Sequence, residues 1–144
     1  MKRYDYIKLP IYDIWGVIMR KDSPLSKFNK IRPKDLVGLP LIYSRQALAE
    51  NELAGWIGEN TDKLNIVMTY NLVNNAALMV SEGIGYALTF DKILNTSGNS
   101  DICFRPLEPI LTADFSLVWK KYQIFSRAAE KFIEKMHEEF GRKK

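Results

Sequence analysis

The distribution of proline constrains the fold of this 144-residue chain more than any other feature of its sequence. The six prolines are Pro10, Pro24, Pro33, Pro40, Pro106 and Pro109. The 65 residues from Leu41 to Arg105 therefore contain none. Because proline lacks the backbone N–H group that helices and central strands need, we expect regular structure in this block and connecting segments around the prolines.

Inside the proline-free block, the apolar pattern alternates between short continuous runs and helical spacing. Strands are predicted at residues 41–43, 64–70 and 86–90, and one helix follows each of the first two strands. This order of strand, helix, strand, helix and strand favours a parallel sheet with right-handed crossover connections. The expected fold class is therefore α/β.

The two helices of the block have recognisable ends. The spacing of apolar residues predicts one helix that continues to Ile57. The second helix is predicted to begin after Asn71, a residue type favoured at N-caps, and to end near Glu82. Gly83 follows in the position where a left-handed C-cap is expected.

The segments on either side of the block contain apolar runs with little helix between them. Strands that resemble antiparallel or exchanging strands are predicted at residues 6–9, 14–19, 102–104 and 115–119. Near the end, one apolar stripe from Phe125 to Phe140 predicts a helix. That helix has Ser126 or Gln123 near its start and Gly141 after it.

Composition excludes most catalytic chemistry. One cysteine, Cys103, and one histidine, His137, exclude an intramolecular disulfide, a cysteine-cluster zinc site and most Ser-His or Cys-His machinery. We therefore predict no enzyme activity, no catalytic residue, no metal and no cofactor. A net charge of +4 is too small to indicate nucleic-acid binding, and without a signal-peptide core or an apolar run of about 20 residues a cytoplasmic protein is expected.

Polar side chains follow the first two strands of the predicted sheet. Ser44, Arg45 and Gln46 come after the first strand, and Tyr70 and Asn71 come at the end of the second. Because ligands of open parallel sheets bind at the carboxyl ends of the strands, these groups predict a site for a small polar or anionic ligand. The alternative is a structural role, in which Ser44 and Asn71 cap helices and Arg45 is a solvated surface charge.

Four segments of the chain occur in an order and at separations found in one protein family. They are Trp15–Leu25 (WGVIMRKDSPL), Ile31–Leu36 (IRPKDL), Pro40–Ile42 (PLI) and Val80–Leu88 (VSEGIGYAL). Together they resemble the C-terminal effector-binding domain of LysR-type transcriptional regulators. Ser23 stands where the family usually has histidine.

The resemblance implies a two-lobed α/β fold similar to type 2 periplasmic binding proteins, with a complete second lobe and a partial first lobe. Residues 21–105 would form the second lobe around a core at 41–90, and residues 1–20 and 106–144 would form the partial first lobe. A small-molecule effector, polar or anionic, would bind in the cleft between the lobes. By position, the effector-binding residues would be Ser44, Arg45, Gln46, Tyr70, Asn71 and Phe90.

The chain also departs from the family. Members have an N-terminal helix-turn-helix, a linker helix and an opening strand-helix-strand series, and none of these precedes Tyr4. We therefore expect a fragment that contacts DNA only through a missing N-terminal domain and that forms homo-oligomers, without membrane contact. The predicted function is the effector-binding and oligomerisation module of a LysR-type regulator. The alternative is a fragment of a solute-binding protein of the same fold.

Overall fold

The computed structural model of the chain describes residues 3–141, except the side chains of Asn60 and Thr61. It divides the chain into two compact units. The larger unit is Asp13–Thr112, and the smaller unit combines the described residues up to Tyr12 with those from Ala113 onward. The predicted lobes, with boundaries near residues 20 and 106, are a different division of the chain from these two units. They stay a prediction.

Six strands and four α-helices make up the described chain. The strands are β1 (Tyr4–Arg20), β2 (Pro40–Ser44), β3 (Asn65–Tyr70), β4 (Tyr86–Phe90), β5 (Ile102–Pro106) and β6 (Thr112–Lys120). The α-helices are α1 (Arg45–Glu50), α2 (Ala54–Ile57), α3 (Val73–Ser81) and α4 (Arg127–Phe140). Short 3-10 helices cover Pro24–Lys27, Pro33–Leu36 and Gly58–Lys63. The three strands predicted inside the proline-free block are confirmed as β2, β3 and β4.

The sheet of the larger unit has the strand order β3-β2-β4-β1-β5. β2 pairs in parallel with both β3 and β4, which confirms the parallel arrangement predicted from the alternation of strands and helices. The flanking strands β1 and β5 are antiparallel, as expected, because β1 pairs antiparallel with β4 on one side and β5 on the other. In this order, β2, β3 and β4 bring their carboxyl ends to one edge of the sheet.

The core of the larger unit lies between the sheet and α3. Ile42 at the centre of β2 and Ala87 on β4 are fully buried, as are Ala76 and Val80 on the inner face of α3. Leu41, Ile42 and Tyr43 are buried in succession. A central parallel strand is covered on both faces, which explains why its sequence is a continuous apolar run rather than an alternating one.

β1 corrects the prediction of two strands at residues 6–9 and 14–19. A single strand runs from Tyr4 to Arg20 and includes the exposed Pro10. The ladders of β1 with β4 and β5 involve residues from Trp15 onward, so the missing N–H of the proline breaks neither of them. With respect to these two ladders, Pro10 lies where no hydrogen bond is required of it, and a strand tolerates proline at such a position.

The single helix predicted up to Ile57 is also wrong. α1 ends at Asn51, whose left-handed backbone (φ 56°) lets its N–H bond back to the carbonyls of Ala47 and Leu48. Asparagine adopts this conformation more readily than most residues and so ends a helix in the manner of glycine. α2 then begins at Ala54.

Two predicted caps of the larger unit have different outcomes. α3 begins at Val73, so its N-cap is Leu72 and not Asn71, and no side chain caps it. The predicted end of α3 is confirmed: Ser81 is the last residue, and Gly83 has the left-handed backbone expected there (φ 76°).

In the smaller unit, β6 pairs with β1, and α4 follows. The Ser126 hydroxyl accepts a hydrogen bond from the Ala129 N–H at 3.3 Å, and Gly141 follows the last turn. These two residues confirm the start and the end predicted for the C-terminal helix. Serine at an N-cap stabilises a helix because it satisfies one of the free amides of the first turn.

Candidate functional site

A pocket of about 440 Å³ opens at the carboxyl ends of the parallel strands, entirely within the larger unit. This volume is within the range of small-molecule sites, about 300–1,000 Å³. The lining residues are Trp15, Ser44, Gln46, Ala47, Glu52, Tyr70, Asn71, Leu72, Val73, Thr89, Phe90 and Ile93. The lining therefore combines aromatic and apolar side chains with a few polar groups.

The parallel pairing explains why residues distant in sequence meet here. Ser44 ends β2, Tyr70 ends β3, and these two residues are partners in the β2–β3 register. Phe90 ends β4, which is the other parallel neighbour of β2. The pocket brings together five of the six residues predicted from sequence, since Gln46 and Asn71 also line it.

Arg45 is the predicted residue that the pocket does not include. It is the first residue of α1, its side chain is exposed, and it is not among the residues that line the cavity. Its neighbours Ser44 and Gln46 do line the cavity. Successive residues at a helix start point in different directions, so one sequence motif is divided between the pocket and the solvent.

Several polar groups of the pocket already have partners in the protein. The Ser44 hydroxyl accepts a hydrogen bond from the Ala47 N–H at 3.4 Å and so caps α1. The Gln46 side-chain amide donates to a Glu50 carboxylate oxygen at 3.3 Å. Ser44 is thus a helix cap, as the structural alternative predicted. Its hydroxyl keeps a second lone pair that can accept a hydrogen bond from a ligand.

Tyr70 is the last residue of β3 and lines the pocket. It is 9% exposed, and its hydroxyl donates to the carbonyl oxygen of Leu88 at 2.8 Å. Burial raises the pKa of the Tyr70 phenol, so the group stays protonated and remains a donor at neutral pH. The hydroxyl joins β3 to β4 across the intervening β2 and thereby holds the pocket edge together.

Replacing Tyr70 by phenylalanine should lower the free energy of unfolding by about 0.5–1.5 kcal/mol, the usual net value of one hydrogen bond. Urea denaturation followed by tryptophan fluorescence measures this difference. Tyr122→Phe is the matched control, because Tyr122 is fully exposed and should lose nothing measurable. Equal stability of the two variants would show that the bond to Leu88 does not support the sheet.

An aromatic wall in the site joins the predicted Phe90 to Trp15, which was not predicted as a site residue. The Trp15 and Phe90 ring centroids are 4.2 Å apart with an interplanar angle of 48°, and Trp15 also contacts the edge of Tyr43 at 6.4 Å. The sequence indicates Trp15 only as a core residue, and at 2% exposure it is buried as predicted. Its place in the pocket follows from the antiparallel β1–β4 register, in which it is paired with Phe90.

Glu52 is a second residue that the sequence does not identify, since its pattern predicts only a solvated helix face. In the structure it lines the pocket just after the helix break at Asn51. Partial burial raises the pKa of the Glu52 carboxyl. Hydrogen bonding to Glu50 and the negative charge of Glu50 raise this pKa further. Burial, together with the charge of Glu52, also raises the pKa of the Tyr43 phenol to about 12.

Within residues 3–141, no three His, Cys, Asp or Glu side chains come together as metal ligands would. Over the same described range, none of the helices combines the length and the hydropathy that crossing a bilayer requires.

One family model matches nearly the whole chain. It is described as the LysR substrate binding domain and covers residues 5–141. A comparison with curated proteins found no match.

Solved structures of low sequence identity share the fold. HinK, a LysR family transcriptional regulator from Pseudomonas aeruginosa, is 14% identical with a TM-score of 0.77, over 98% of this chain and 50% of HinK. The effector-binding domain of QuiR in complex with shikimate is 16% identical with a TM-score of 0.74, over 92% and 63% of the two chains. The reduced OxyR regulatory domain from Pseudomonas aeruginosa is 15% identical with a TM-score of 0.71, over 93% and 65%. The chain thus spans about half the length of HinK.

Proposed function

Because the chain belongs to the family of LysR substrate-binding domains, we propose that it is the effector-sensing part of a LysR-type transcriptional regulator. The observation that carries this proposal is the pocket at the carboxyl ends of β2, β3 and β4. It is lined by Ser44, Gln46, Tyr70, Asn71 and Phe90, each of which was predicted to contact an effector. Similar domains have been solved with small molecules, QuiR with shikimate and CcmR with 2-PG.

The proposed action is binding rather than catalysis. Nucleophilic catalysis needs a nucleophile within hydrogen-bond reach of a base, and the Ser44 hydroxyl instead accepts from the Ala47 backbone amide. Among the lining residues that the structure describes, none is a histidine, lysine or cysteine that could activate a hydroxyl. A site of this kind can hold and orient a ligand without transforming it.

An effector acts on a regulator by binding one conformation better than another. A ligand in this pocket would favour closure of the two lobes predicted at residues 1–20 with 106–144 and at residues 21–105. Closure would change how the subunits of a homo-oligomer pack on DNA, while DNA contact itself would belong to a helix-turn-helix outside these 144 residues. A cytoplasmic location is part of this proposal because the regulated DNA is there.

The negative charge predicted for the effector depends on Arg45. That residue is exposed and outside the lining, so its guanidinium would act across solvent, where opposite charges attract weakly. If the effector is nevertheless anionic and Arg45 pairs with it, Arg45→Ala should weaken binding and the weakening should diminish at high salt.

The proposal is tested by calorimetric titration of the chain with a panel of small carboxylates, amines and amino acids. Asn71 lines the pocket, is exposed and caps no helix, so its amide is free to contact a ligand. Asn71→Ala should weaken binding of any panel member that binds by about tenfold, which corresponds to one lost hydrogen bond.

Asn75→Ala is the matched control, because Asn75 is exposed on α3 but does not line the pocket. Its affinities should equal those of the unchanged chain. Equal affinities for all three proteins, or no binding by any panel member, would refute the assignment of this pocket as the effector site.

A further inference from the structure

The charged side chains that line the pocket are of one sign. Glu52 lines the cavity, and the nearby Glu50 of α1 adds a second negative charge that influences it. None of the described lining residues is Lys, Arg or His. The phenol of Tyr70 is neutral, and its hydroxyl donates a hydrogen bond to the Leu88 carbonyl. The negative charge of Glu52 therefore has no cationic partner among the side chains that line the cavity.

The remaining walls suit an apolar body with a positive charge close to it. Phe90 presents its aromatic ring to the pocket, with the buried Trp15 packed behind it, and Leu72, Val73 and Ile93 add aliphatic surface. Aromatic rings attract cations through the negative potential of their faces. Aromatic walls and a carboxylate are thus complementary to the same kind of ligand.

We propose that the pocket selects a small molecule with a protonated amine on an apolar body, with the ammonium at Glu52 and the body against Phe90 and the aliphatic side chains beside it. The inference rests on the proposed function, since it assigns the chemical class of the effector of that same pocket. Such a ligand supplies the positive charge that the lining lacks. It also buries its apolar part against rings that are already held in place by packing.

A ligand with only a carboxylate would meet the opposite conditions. Its charge would face Glu52 and Glu50, and like charges at short separation repel. Arg45 is exposed and outside the lining, so the ligand would gain no direct ion pair there, and the uncapped start of α3 would attract its carboxylate only weakly. Glu52 is exposed overall, and the raised pKa of its carboxyl reflects partial burial together with the neighbouring Glu50 carboxylate, which both disfavour its charged form.

Two kinds of molecule carry the required ammonium, a simple amine and an amino acid. α3 begins at the pocket with Leu72 and Val73, and no side chain caps its free amides. The positive end of a helix dipole attracts a carboxylate, so an amino acid would place its second charge there while its ammonium pairs with Glu52. The ammonium is common to both, and the titration below distinguishes them.

The test is calorimetric titration of the 144-residue chain at neutral pH with four ligands that share one phenyl ring. They are phenethylamine, phenylalanine, hydrocinnamate and phenethyl alcohol. We expect the two ammonium-bearing ligands to bind at least about tenfold more tightly than hydrocinnamate, with phenethyl alcohol between them. Tighter binding of phenylalanine than of phenethylamine would identify the amino acid as the source.

Glu52→Gln keeps the size of the side chain and removes its charge. In this variant the preference for ammonium over the neutral alcohol should disappear, while the alcohol binds as before. Glu59→Gln is the matched control, because Glu59 is exposed and does not line the pocket, so its preference should remain. Circular dichroism of both variants checks that they remain folded.

Hydrocinnamate binding as tightly as phenethylamine would overturn the inference, as would an unchanged preference in Glu52→Gln. In either case the proposed function stands if Asn71→Ala still weakens the ligand that binds. Failure of all four ligands also overturns the inference. The proposed function then fails only if the wider panel of carboxylates, amines and amino acids shows no binding either.

Discussion

Replacing Ile42 by alanine should lower the free energy of unfolding by about 2–5 kcal/mol, the largest loss that we expect from a single truncation. Ile42 is fully buried at the centre of β2, between Met68 of β3 and Ala87 of β4. It packs in one cluster with Ala76 and Val80 of α3. Truncation removes buried apolar surface and leaves a cavity that a sheet paired on both sides cannot close.

The matched control is Ile124→Ala, since Ile124 is 96% exposed. The same change of side chain there should alter stability by no more than about 0.5 kcal/mol. Urea denaturation of both variants measures the difference, with an unchanged slope and a lower midpoint for Ile42→Ala. If the two variants unfold at the same urea concentration, β2 is not an interior strand of the sheet that is paired on both sides. The same experiment then removes the basis for the pocket, which depends on that strand.

Replacing Gly16 by alanine should be the most damaging small change in the chain. Gly16 is buried in β1 between Thr89 of β4 and Pro106 of β5. A Cβ atom there would overlap the ring of Phe104 and would lie 2.5 Å from the carbonyl oxygen of Arg105. The ring can rotate, but the carbonyl is part of a paired strand and cannot move without loss of the ladder. We expect a loss of about 3 kcal/mol, at the upper end of the usual cost of overpacking.

Gly55→Ala provides an internal control with the opposite sign. Gly55 lies in α2, and a Cβ atom added there would meet nothing within 4 Å. Alanine should stabilise the protein by about 0.5–1 kcal/mol, because it restricts the unfolded chain and favours the helix. Thermal unfolding of the two variants should therefore shift in opposite directions. A Gly16→Ala protein as stable as Gly55→Ala would contradict the close β1–β5 contact.

Gly16 also connects stability to the site. Its neighbour Trp15 lines the pocket and contacts Phe90, so a displacement of β1 relative to β5 would move the aromatic wall. We expect any surviving Gly16→Ala protein to bind ligands less tightly than Gly55→Ala does. Glycine at position 16 thus lets β1 approach β5 closely. This close approach keeps Trp15 in contact with Phe90 at the pocket.

The elements that depend on local patterns could be predicted from the sequence. β2, β3 and β4 follow from short apolar runs between turn residues, and α4 follows from one apolar stripe with Ser126 at its start. Each of these signals lies within the element itself. Alternation of strands and helices then predicts parallel pairing, because crossovers of this kind return each strand in the same direction. Five of the six predicted site residues share a pocket for this reason, since parallel strands end at one edge.

The remaining features were decided by contacts between distant segments. Trp15 reaches the pocket through the antiparallel register of β1 with β4, and no local pattern specifies which residue of β1 faces Phe90. Glu52 reaches it because α1 ends at Asn51, where a left-handed backbone replaced the continuous helix that the apolar spacing predicted. Arg45 does not line the pocket, because successive residues at the start of α1 point in different directions. The sequence by itself therefore determined which strand ends meet, because periodicity and chain direction are local. Only the tertiary structure decided the walls and the charge of the pocket, because register and loop conformation depend on packing between residues far apart in the chain.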